Sequence, residues 1–348
     1  MIDFIKKYAV QLQDPKGLEM IDLEMTRQDQ DIIDTLKTQT ASIRALAENI
    51  RSTKKVLLLG MGASQLVNEV FALQLRRSGI EALAMTASEF IYDPIPAEGR
   101  TVILTSQSGE SVETVKCIPL LKGHPIFSIT LTEGSTIAKA GTAIICAGGG
   151  EQAYAGTRSV TLSLAALAAV CAELGQLSAD TILPAVQWQR DDYAPMEQAL
   201  WMLYNKRTII ATGRSLFAPV AHLFALGSEE LSNRQTIFEE TGTLRHGPME
   251  AVDGDTVIVV FRQSGQLGEL CRSFNDVRTK TGCSLIVFDA SGLEPLRDAI
   301  TIPCPVGDDI IAALGTMTSF QYLMIAYACG KNPRAGLPHF GGKVTTTE

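Results

Sequence analysis

The chain has 348 residues, which at roughly 150 residues per domain suggests two domains. Hydrophobic residues make up 46% and charged residues 20%, a globular composition too apolar for a disordered chain. A net charge of −8 argues against a broad basic surface for nucleic acid or anionic membrane, while leaving room for a small phosphate held by backbone N–H groups and hydroxyls.

The N-terminus, Met1-Ile2-Asp3-Phe4-Ile5-Lys6-Lys7, places charges where a secretion signal needs an apolar run, so a cytoplasmic protein is expected. Residues 17–50 carry an apolar stripe at helical period, marked by Leu18, Ile21, Met25, Ile32, Leu36, Ile43, Leu46 and Ile50. Strands are then expected at 56–59, 82–85, 102–105, 126–131 and 143–146, with helices at 66–77, 113–121 and 162–174. Strands that alternate with helices and lack a polar face imply a parallel sheet covered on both sides. At 176–192 the chain turns polar, with Ser178, Asp180, Pro184, Asp191 and Asp192, and a linker is expected. Alternation restarts with strands at 208–211, 257–261, 285–288 and 300–302 and helices at 219–231, 267–279 and 310–330. The last segment is uncharged over 21 positions, long enough to cross a bilayer. It contains Gly315, Thr316, Thr318, Ser319 and Gln321, and is read as a buried helix of a soluble domain. The seven cysteines form no C-x-x-C pair and read as core thiols of a reducing compartment.

The second half repeats the first. Leu59-Gly60-Met61-Gly62-Ala63-Ser64 answers to Ala211-Thr212-Gly213-Arg214-Ser215, each following a strand. Thr105-Ser106-Gln107-Ser108-Gly109-Glu110 answers to Phe261-Arg262-Gln263-Ser264-Gly265-Gln266. Gly62 and Gly109 are 47 positions apart and Gly213 and Gly265 are 52 apart, so strand, motif and spacing agree on a tandem duplication.

The stretch 105–111 lies between a strand and a helix, where open parallel sheets bind ligands. A helix N-terminus favours anions, and Ser106, Ser108 and Ser111 add hydroxyl donors, which makes a phosphate cradle that needs no lysine. The alternative is a serine-rich turn and cap. The second copy has Phe261 and Arg262 in place of Thr105 and Ser106 and no hydroxyl matching Ser111, so the first copy is the better ligand site. Gly60-Met61-Gly62-Ala63-Ser64-Gln65 is a poor dinucleotide fingerprint because Gln65 replaces the third glycine. Gly62 can instead let the backbone approach a smaller ligand while Ser64 donates a hydroxyl. His246 stands before Gly247-Pro248, where a helix must end, and is either a tunable acid–base group or a surface imidazole. Glu229 and Glu230 occupy an otherwise apolar helix, and adjacent positions cannot face the same way. Leu223, Leu226 and Glu230 share an inward stripe, which favours Glu230 as the buried base. The sequence shows no metal-ligand spacing and no basic helix-turn-helix.

The duplicated α/β unit, the 106–111 loop, Ala87-Ser88-Glu89-Phe90 and Leu244-Arg245-His246-Gly247-Pro248 resemble the sugar isomerase (SIS) domain family. The nearest group is the double-SIS proteins, typified by the isomerase half of glucosamine-6-phosphate synthase. The resemblance runs from about residue 20 to the tail Gly342-Lys343-Val344-Thr345-Thr346-Thr347-Glu348. It implies an α/β chain of two tandem SIS domains, each a three-layer αβα sandwich of flavodoxin-like type. The expected boundaries are a helical segment at 1–50, SIS domains at 51–178 and 195–332, and an active-site tail at 333–348. It further implies that Gly62, Ser64, Ser106, Gln107, Ser108, Ser111, Gly156 and Thr157 hold a sugar phosphate. Glu230 would move the proton between C1 and C2, His246 from a neighbouring subunit would assist ring opening, and Lys343 would approach the carbonyl, as an imine in one version. Aldose–ketose interconversion needs that division of labour.

The sequence also departs from the family pattern. No glutaminase domain precedes the isomerase half, and Met1 is not followed by a nucleophilic cysteine, so the full synthase reaction is not expected. Met61, Ala63, Gly227 and His339 replace, respectively, a usual Cys or Ser, a Thr, a helix Lys and an Arg, and Ala155-Gly156-Thr157-Arg158 replaces Ala-Ser-Thr-Lys. The expected function is therefore a homodimeric phosphosugar isomerase without cofactor or metal. It would act on an amino-sugar or fructosamine 6-phosphate as a deaminase or deglycase, and would bind neither nucleic acid nor membrane. The competing reading is a non-catalytic sugar-phosphate sensor.

Overall fold

A computed structural model describes residues 3–9, 12–188, 192–307 and 309–345. By internal contacts the chain divides into two units. The first-repeat unit comprises Leu23–Pro184 and the chain from Phe340 onward; the second-repeat unit comprises Ala185–His339 and the chain up to Asp22.

In chain order the elements are α1 (Asp3–Ala9), α2 (Lys16–Thr38), α3 (Thr40–Thr53), β1 (Lys55–Gly60), α4 (Gly62–Arg77), β2 (Glu81–Thr86), α5 (Ala87–Tyr92), β3 (Thr101–Thr105), α6 (Val112–Leu120), β4 (Ile126–Thr130), α7 (Thr136–Lys139), β5 (Thr142–Ile145) and α8 (Arg158–Glu173). There follow α9 (Ile182–Val186), α10 (Ala194–Tyr204), β6 (Thr208–Gly213), α11 (Phe217–Ser232), β7 (Ile237–Phe238), α12 (Thr241–Leu244), β8 (Thr256–Arg262), α13 (Gly265–Leu270), α14 (Phe274–Thr281), β9 (Ser284–Asp289), β10 (Ile300–Pro303) and α15 (Ile310–Lys331).

The first sheet is parallel in the order β2-β1-β3-β4-β5. β3 and β4 are buried along their whole length, as strands covered on two faces must be. Alternate residues serve the two faces. Leu57, Leu59, Val102 and Leu104 pack with Phe90 of α5 and Cys117 of α6, while α3 and α4 also lie against the sheet and α8 packs on both of them. α8 is buried from Arg158 to Cys171, which is why its sequence is alanine-rich and almost free of a polar face. The edge strand β5 is closed by side chains. The Ile145 N–H donates to Gln39 Oε1 at 3.0 Å, and just beyond the strand the Ala147 N–H donates to Thr35 Oγ1 at 2.8 Å.

The second sheet, β10-β9-β8-β6-β7, has the same topology in its own numbering: each sheet runs second, first, third, fourth, fifth strand in chain order when β7 and β10 are counted as the second and fifth strands from opposite edges. The tandem duplication read from the motifs is thus a duplication of fold, of the doubly wound type whose strand order reverses between its first and third strands. One face packs Ile258, Val260, Leu285 and Val287 on Phe274 and Leu244. The other carries α11 and α15, with Phe224, Phe261, Phe288 and Phe320 in mutual ring contact. α15 is the core helix that its polar residues anticipate: 83% of its most apolar window is buried. Its start is capped by Asp309, which accepts the Ile311 N–H at 2.9 Å.

Several local expectations shift. The 17–50 stripe is two helices that part at Gln39, and the expected helix at 267–279 is two helices joined by a 3₁₀ turn, Cys271–Ser273. The polar stretch expected as a linker carries α9; Asp191 within it lies outside the described residues, as do residues 346–348 of the tail. The seven cysteines are all buried thiols.

One charge cluster fixes the loop before α8. Arg158 is fully buried, its Nε donating to Glu24 Oε2 at 2.6 Å and its Nη1 to Asp31 Oδ2 at 2.9 Å. The same guanidinium donates to the carbonyls of Ala147 at 3.0 Å and Gly149 at 2.8 Å, and Arg27 adds a second cation, 2.9 Å from Asp31. Replacing Arg158 by Met leaves buried Glu24 without its guanidinium and buried Asp31 with Arg27 alone. It should cost about 3–5 kcal/mol and lower the melting temperature by roughly 6–20 °C. Neutralising the carboxylates in the same chain, as Glu24→Gln and Asp31→Asn, should recover most of that loss in a thermal melt.

Candidate functional site

Open parallel sheets bind ligands outside the carboxyl ends of the strands where their order reverses. In the first-repeat unit that point lies between β1 and β3, whose register pairs Gly60 with Thr105. The loops leaving these two strands are 61–64 and 106–111. The first expected helix begins earlier than its apolar residues indicate, so Gly62 and Ser64 form the first turn of α4. Gly62 has φ +51°, a left-handed value suited to glycine, and no atom stands within 4 Å of where its Cβ would be. Behind the crossing, the buried Asn68 of α4 accepts the Thr105 hydroxyl at 2.7 Å and ties α4 to the end of β3.

The 106–111 loop draws its hydroxyls together. Ser106 Oγ lies 3.1 Å from Ser111 Oγ and 3.4 Å from Ser108 Oγ. Ser106 Oγ also accepts the Gly109 N–H, and Ser108 Oγ the Glu110 N–H, each at 3.1 Å. The Gln107 carbonyl accepts from the Leu131 N–H and the Thr130 hydroxyl, which locks the loop to the end of β4. Gly109 has φ +68°, and a Cβ there would run into the side chain of Ser135. Glu110 points away from the hydroxyls, and its carboxylate accepts the N–H and hydroxyl of Thr136, both at 2.8 Å, at the start of α7. The three serine hydroxyls thus gather at the start of α6, where a helix leaves backbone N–H groups without helical partners.

The second copy keeps the backbone and changes the chemistry. Gly265 repeats the φ of +68°. Arg262, at the position of Ser106, is fully buried and bonds Asp289 at 3.1 Å, the Gly268 carbonyl at 2.9 Å and the Glu294 carbonyl at 2.9 Å. A guanidinium fastening three segments stands where the first copy has a hydroxyl.

At the N-terminus of α8 the structure supplies a partner that sequence reasoning missed. Glu151 is 2% exposed. Its Oε1 accepts the Thr157 N–H at 2.9 Å, the Thr157 hydroxyl at 3.0 Å and the Arg158 N–H at 2.9 Å; its Oε2 accepts the Ser159 hydroxyl and the Lys343 ammonium, the latter at 3.2 Å. Burial pushes this carboxyl's pKa up, but the Lys343 charge, the Ser159 hydroxyl and the Thr157 N–H outweigh it and hold the group below the ordinary carboxylate range. Thr157, expected to touch a sugar phosphate, is therefore fully buried on the protein's own anion. Gly156 stands beside it, half-buried. Lys343 also donates to the Tyr154 carbonyl at 3.2 Å, and two residues on, the Thr345 carbonyl accepts the Val112 N–H at 3.1 Å. The tail thus joins the starts of α8 and α6, bringing Lys343 to the serine loop's neighbourhood.

Glu230 and His246 belong to the second-repeat unit. On α11, Glu229 is exposed and accepts the Thr236 N–H at 3.0 Å, while Glu230 is half-buried. His246 is exposed just past α12, whose start is capped by Glu240 through the Thr243 N–H at 2.9 Å. Gly227, where the family has a helix lysine, is buried, and a Cβ there would meet Met324 of α15. The signal that could have found Glu151 is its place six residues before Thr157 in a segment otherwise free of charge from 140 to 157. No cluster of three or more His, Cys, Asp or Glu side chains suited to a metal occurs among the described residues.

The curated relatives include two enzymes named glutamine–fructose-6-phosphate aminotransferase (isomerizing). That of Sulfurisphaera tokodaii is 27% identical over 283 residues, covering 79% of this chain and 47% of that protein. That of Haemophilus influenzae is 26% identical over 292 residues, covering 78% and 48%. The chain thus spans about half the length of these relatives. Among solved structures, the C-terminal domain of glucosamine-fructose-6-phosphate aminotransferase from Francisella tularensis superposes with a TM-score of 0.82 at 21% identity, covering 92% of this chain and 98% of that one. Glucosamine-6-phosphate deaminase from Thermotoga maritima superposes with a TM-score of 0.72 at 21% identity, covering 89% and 98%. These structures share the fold. The SIS domain profile matches residues 49–172 and again 202–328, more than half of the chain, and the protein therefore belongs to the SIS domain family with two SIS domains in tandem.

Proposed function

We propose that the protein is a phosphosugar isomerase-type enzyme that acts on an amino-sugar or fructosamine 6-phosphate and couples isomerisation to release of ammonia or of an amine. The observation that carries this reading is the gathering of the Ser106, Ser108 and Ser111 hydroxyls at the N-terminus of α6, at the strand-order reversal. Similarity to proteins named for fructose 6-phosphate and glucosamine 6-phosphate chemistry supports it.

In this reading the 106–111 loop, with Gln107, Gly62 and Ser64, holds the phosphate, and Gly156 lines the sugar side, while the buried Thr157 holds Glu151. His246 moves a proton at the ring oxygen to open the sugar. The Glu230 carboxylate takes the proton from one of C1 and C2 and returns it to the other, while a cation at Lys343 steadies the oxygen that gains charge; water then adds to the resulting substrate imine, its oxygen stays on the sugar as the carbonyl, and the C–N bond breaks to release the ammonia or amine. The half-buried state of Glu230, beside an exposed Glu229, suits this assignment. The exposure of His246 within its own unit suits delivery to a second copy, so we take the working form to be a homodimer in the cytoplasm.

A panel of phosphorylated amino sugars and fructosamines, read by ammonia or amine release, should yield turnover with at least one member. Tight binding across the panel with no turnover would favour a sensor instead. Ser108→Ala should weaken binding of the active compound by about 0.5–3 kcal/mol.

Glu230→Gln should lower turnover by ~10²–10⁴-fold and leave phosphate binding nearly intact. Glu229→Gln should change little, since the amide oxygen can still accept the Thr236 N–H. The opposite ranking of these two variants would remove Glu230 from its role.

Sedimentation velocity should give a dimer, and His246→Asn should lower turnover without dissociating it. A stable, fully active monomer would exclude delivery of His246 from a partner.

A further inference from the structure

We propose that Glu151 is a positioning residue for Lys343, and that the pair makes Lys343 a fixed cation instead of an amine nucleophile. This deepens the proposed function, and rests on it only in placing Lys343 at the sugar.

The two carboxylate oxygens of Glu151 are divided between a helix and the tail. Oε1 is taken by the Thr157 N–H, the Thr157 hydroxyl and the Arg158 N–H, and so belongs to the start of α8. Oε2 is shared by the Ser159 hydroxyl and the Lys343 ammonium. The Glu151 side chain is wholly buried and that of Lys343 is 23% exposed, so this pair is far less screened than one at the surface. The carboxylate cannot turn away without uncapping the helix, and its charge therefore stands at a fixed place.

Lys343 is held from two sides, by Glu151 Oε2 and by the Tyr154 carbonyl, each at 3.2 Å. An ammonium has three N–H donors, so one is left for a ligand oxygen. The Thr345 carbonyl on the Val112 N–H fixes the chain two residues further on, at 3.1 Å. The cation is thus set between a helix cap and the serine loop with its third donor available. An imine requires Lys343 to give up a proton and to serve its two acceptors with the single N–H that a protonated imine keeps. Donating its third N–H to a carbonyl or alkoxide oxygen requires neither.

The test has an arm that does not depend on turnover. In the full chain, trace acetylation with acetic anhydride at pH 8, read by mass spectrometry, compares Lys343 with the exposed Lys122. Lys343 should react at least ~10-fold more slowly in the native protein, and Glu151→Gln should bring it to within about threefold of Lys122. Thr157→Val, which removes a cap bond but no contact of Lys343, should leave the labelling unchanged. Equal labelling of Lys343 in native and Glu151→Gln chains that melt cooperatively would overturn the proposal, as would a matching rise in Thr157→Val.

If Glu151→Gln does not fold, the kinetic arm decides. With the compound found by the substrate panel, Lys343→Arg should keep a tenth or more of the turnover and Lys343→Met should lose ~10²-fold or more. An arginine variant as inactive as the methionine one, together with borohydride trapping of substrate on Lys343, would establish the amine role instead. A panel without any turnover would count against the proposed function alone, because the labelling arm stands apart from it.

Discussion

The burial of one arginine decides where the parts of the first-repeat site can stand. Arg158 sits at the first position of α8 with no exposed surface, and its guanidinium reaches Glu24 and Asp31 of α2 and the carbonyls of Ala147 and Gly149. Two cations, Arg158 and Arg27, face two carboxylates, so the cluster is balanced in charge. Buried ion clusters of this kind add little net stability compared with apolar packing, and cost much when broken. What Arg158 contributes is position. Its side chain fixes the beginning of the 147–157 loop, and its own N–H fixes the end through Glu151.

From that loop the constraint passes outward. Glu151 caps α8 and holds Lys343, and the tail that carries Lys343 closes on the N–H of Val112 at the start of α6. α6 in turn begins where the serine loop ends. Each link is a polar contact at a helix terminus, where backbone groups without helical partners need one. A change at Arg158, itself fully buried, would be felt at the loop through this sequence of contacts.

The two repeats show how one backbone can carry different side-chain chemistry in the same loop. Both loops place a glycine at φ +68° after the central strand of a five-stranded parallel sheet. In one, Ser106, Ser108 and Ser111 gather hydroxyls; in the other, Arg262 pairs with Asp289 and fastens α13 to the 294 turn. The fold supplies a helix N-terminus in both cases, and the side chain at the position of Ser106 determines whether the loop before it gathers hydroxyls or is fastened by a buried guanidinium.

The sequence by itself determined the parts that depend on neighbours along the chain. Apolar runs of strand length, the restart after 192, the paired Gln-Ser-Gly motifs and the loss of hydroxyls in the second copy were legible because periodicity and turn chemistry are local. Short elements such as β7 and α12 escaped because two to four residues carry no period. Only the tertiary structure decided the partners of charges. Glu24 and Asp31 lie more than a hundred residues from Arg158, and Lys343 nearly two hundred from Glu151. Glu151 looks like any loop acid until the tail returns to it, and Thr157 like a free hydroxyl until that acid is seen beneath it. The physical reason is that a buried charge must find a counter-charge wherever the closed fold brings one, and nothing along the chain specifies that meeting.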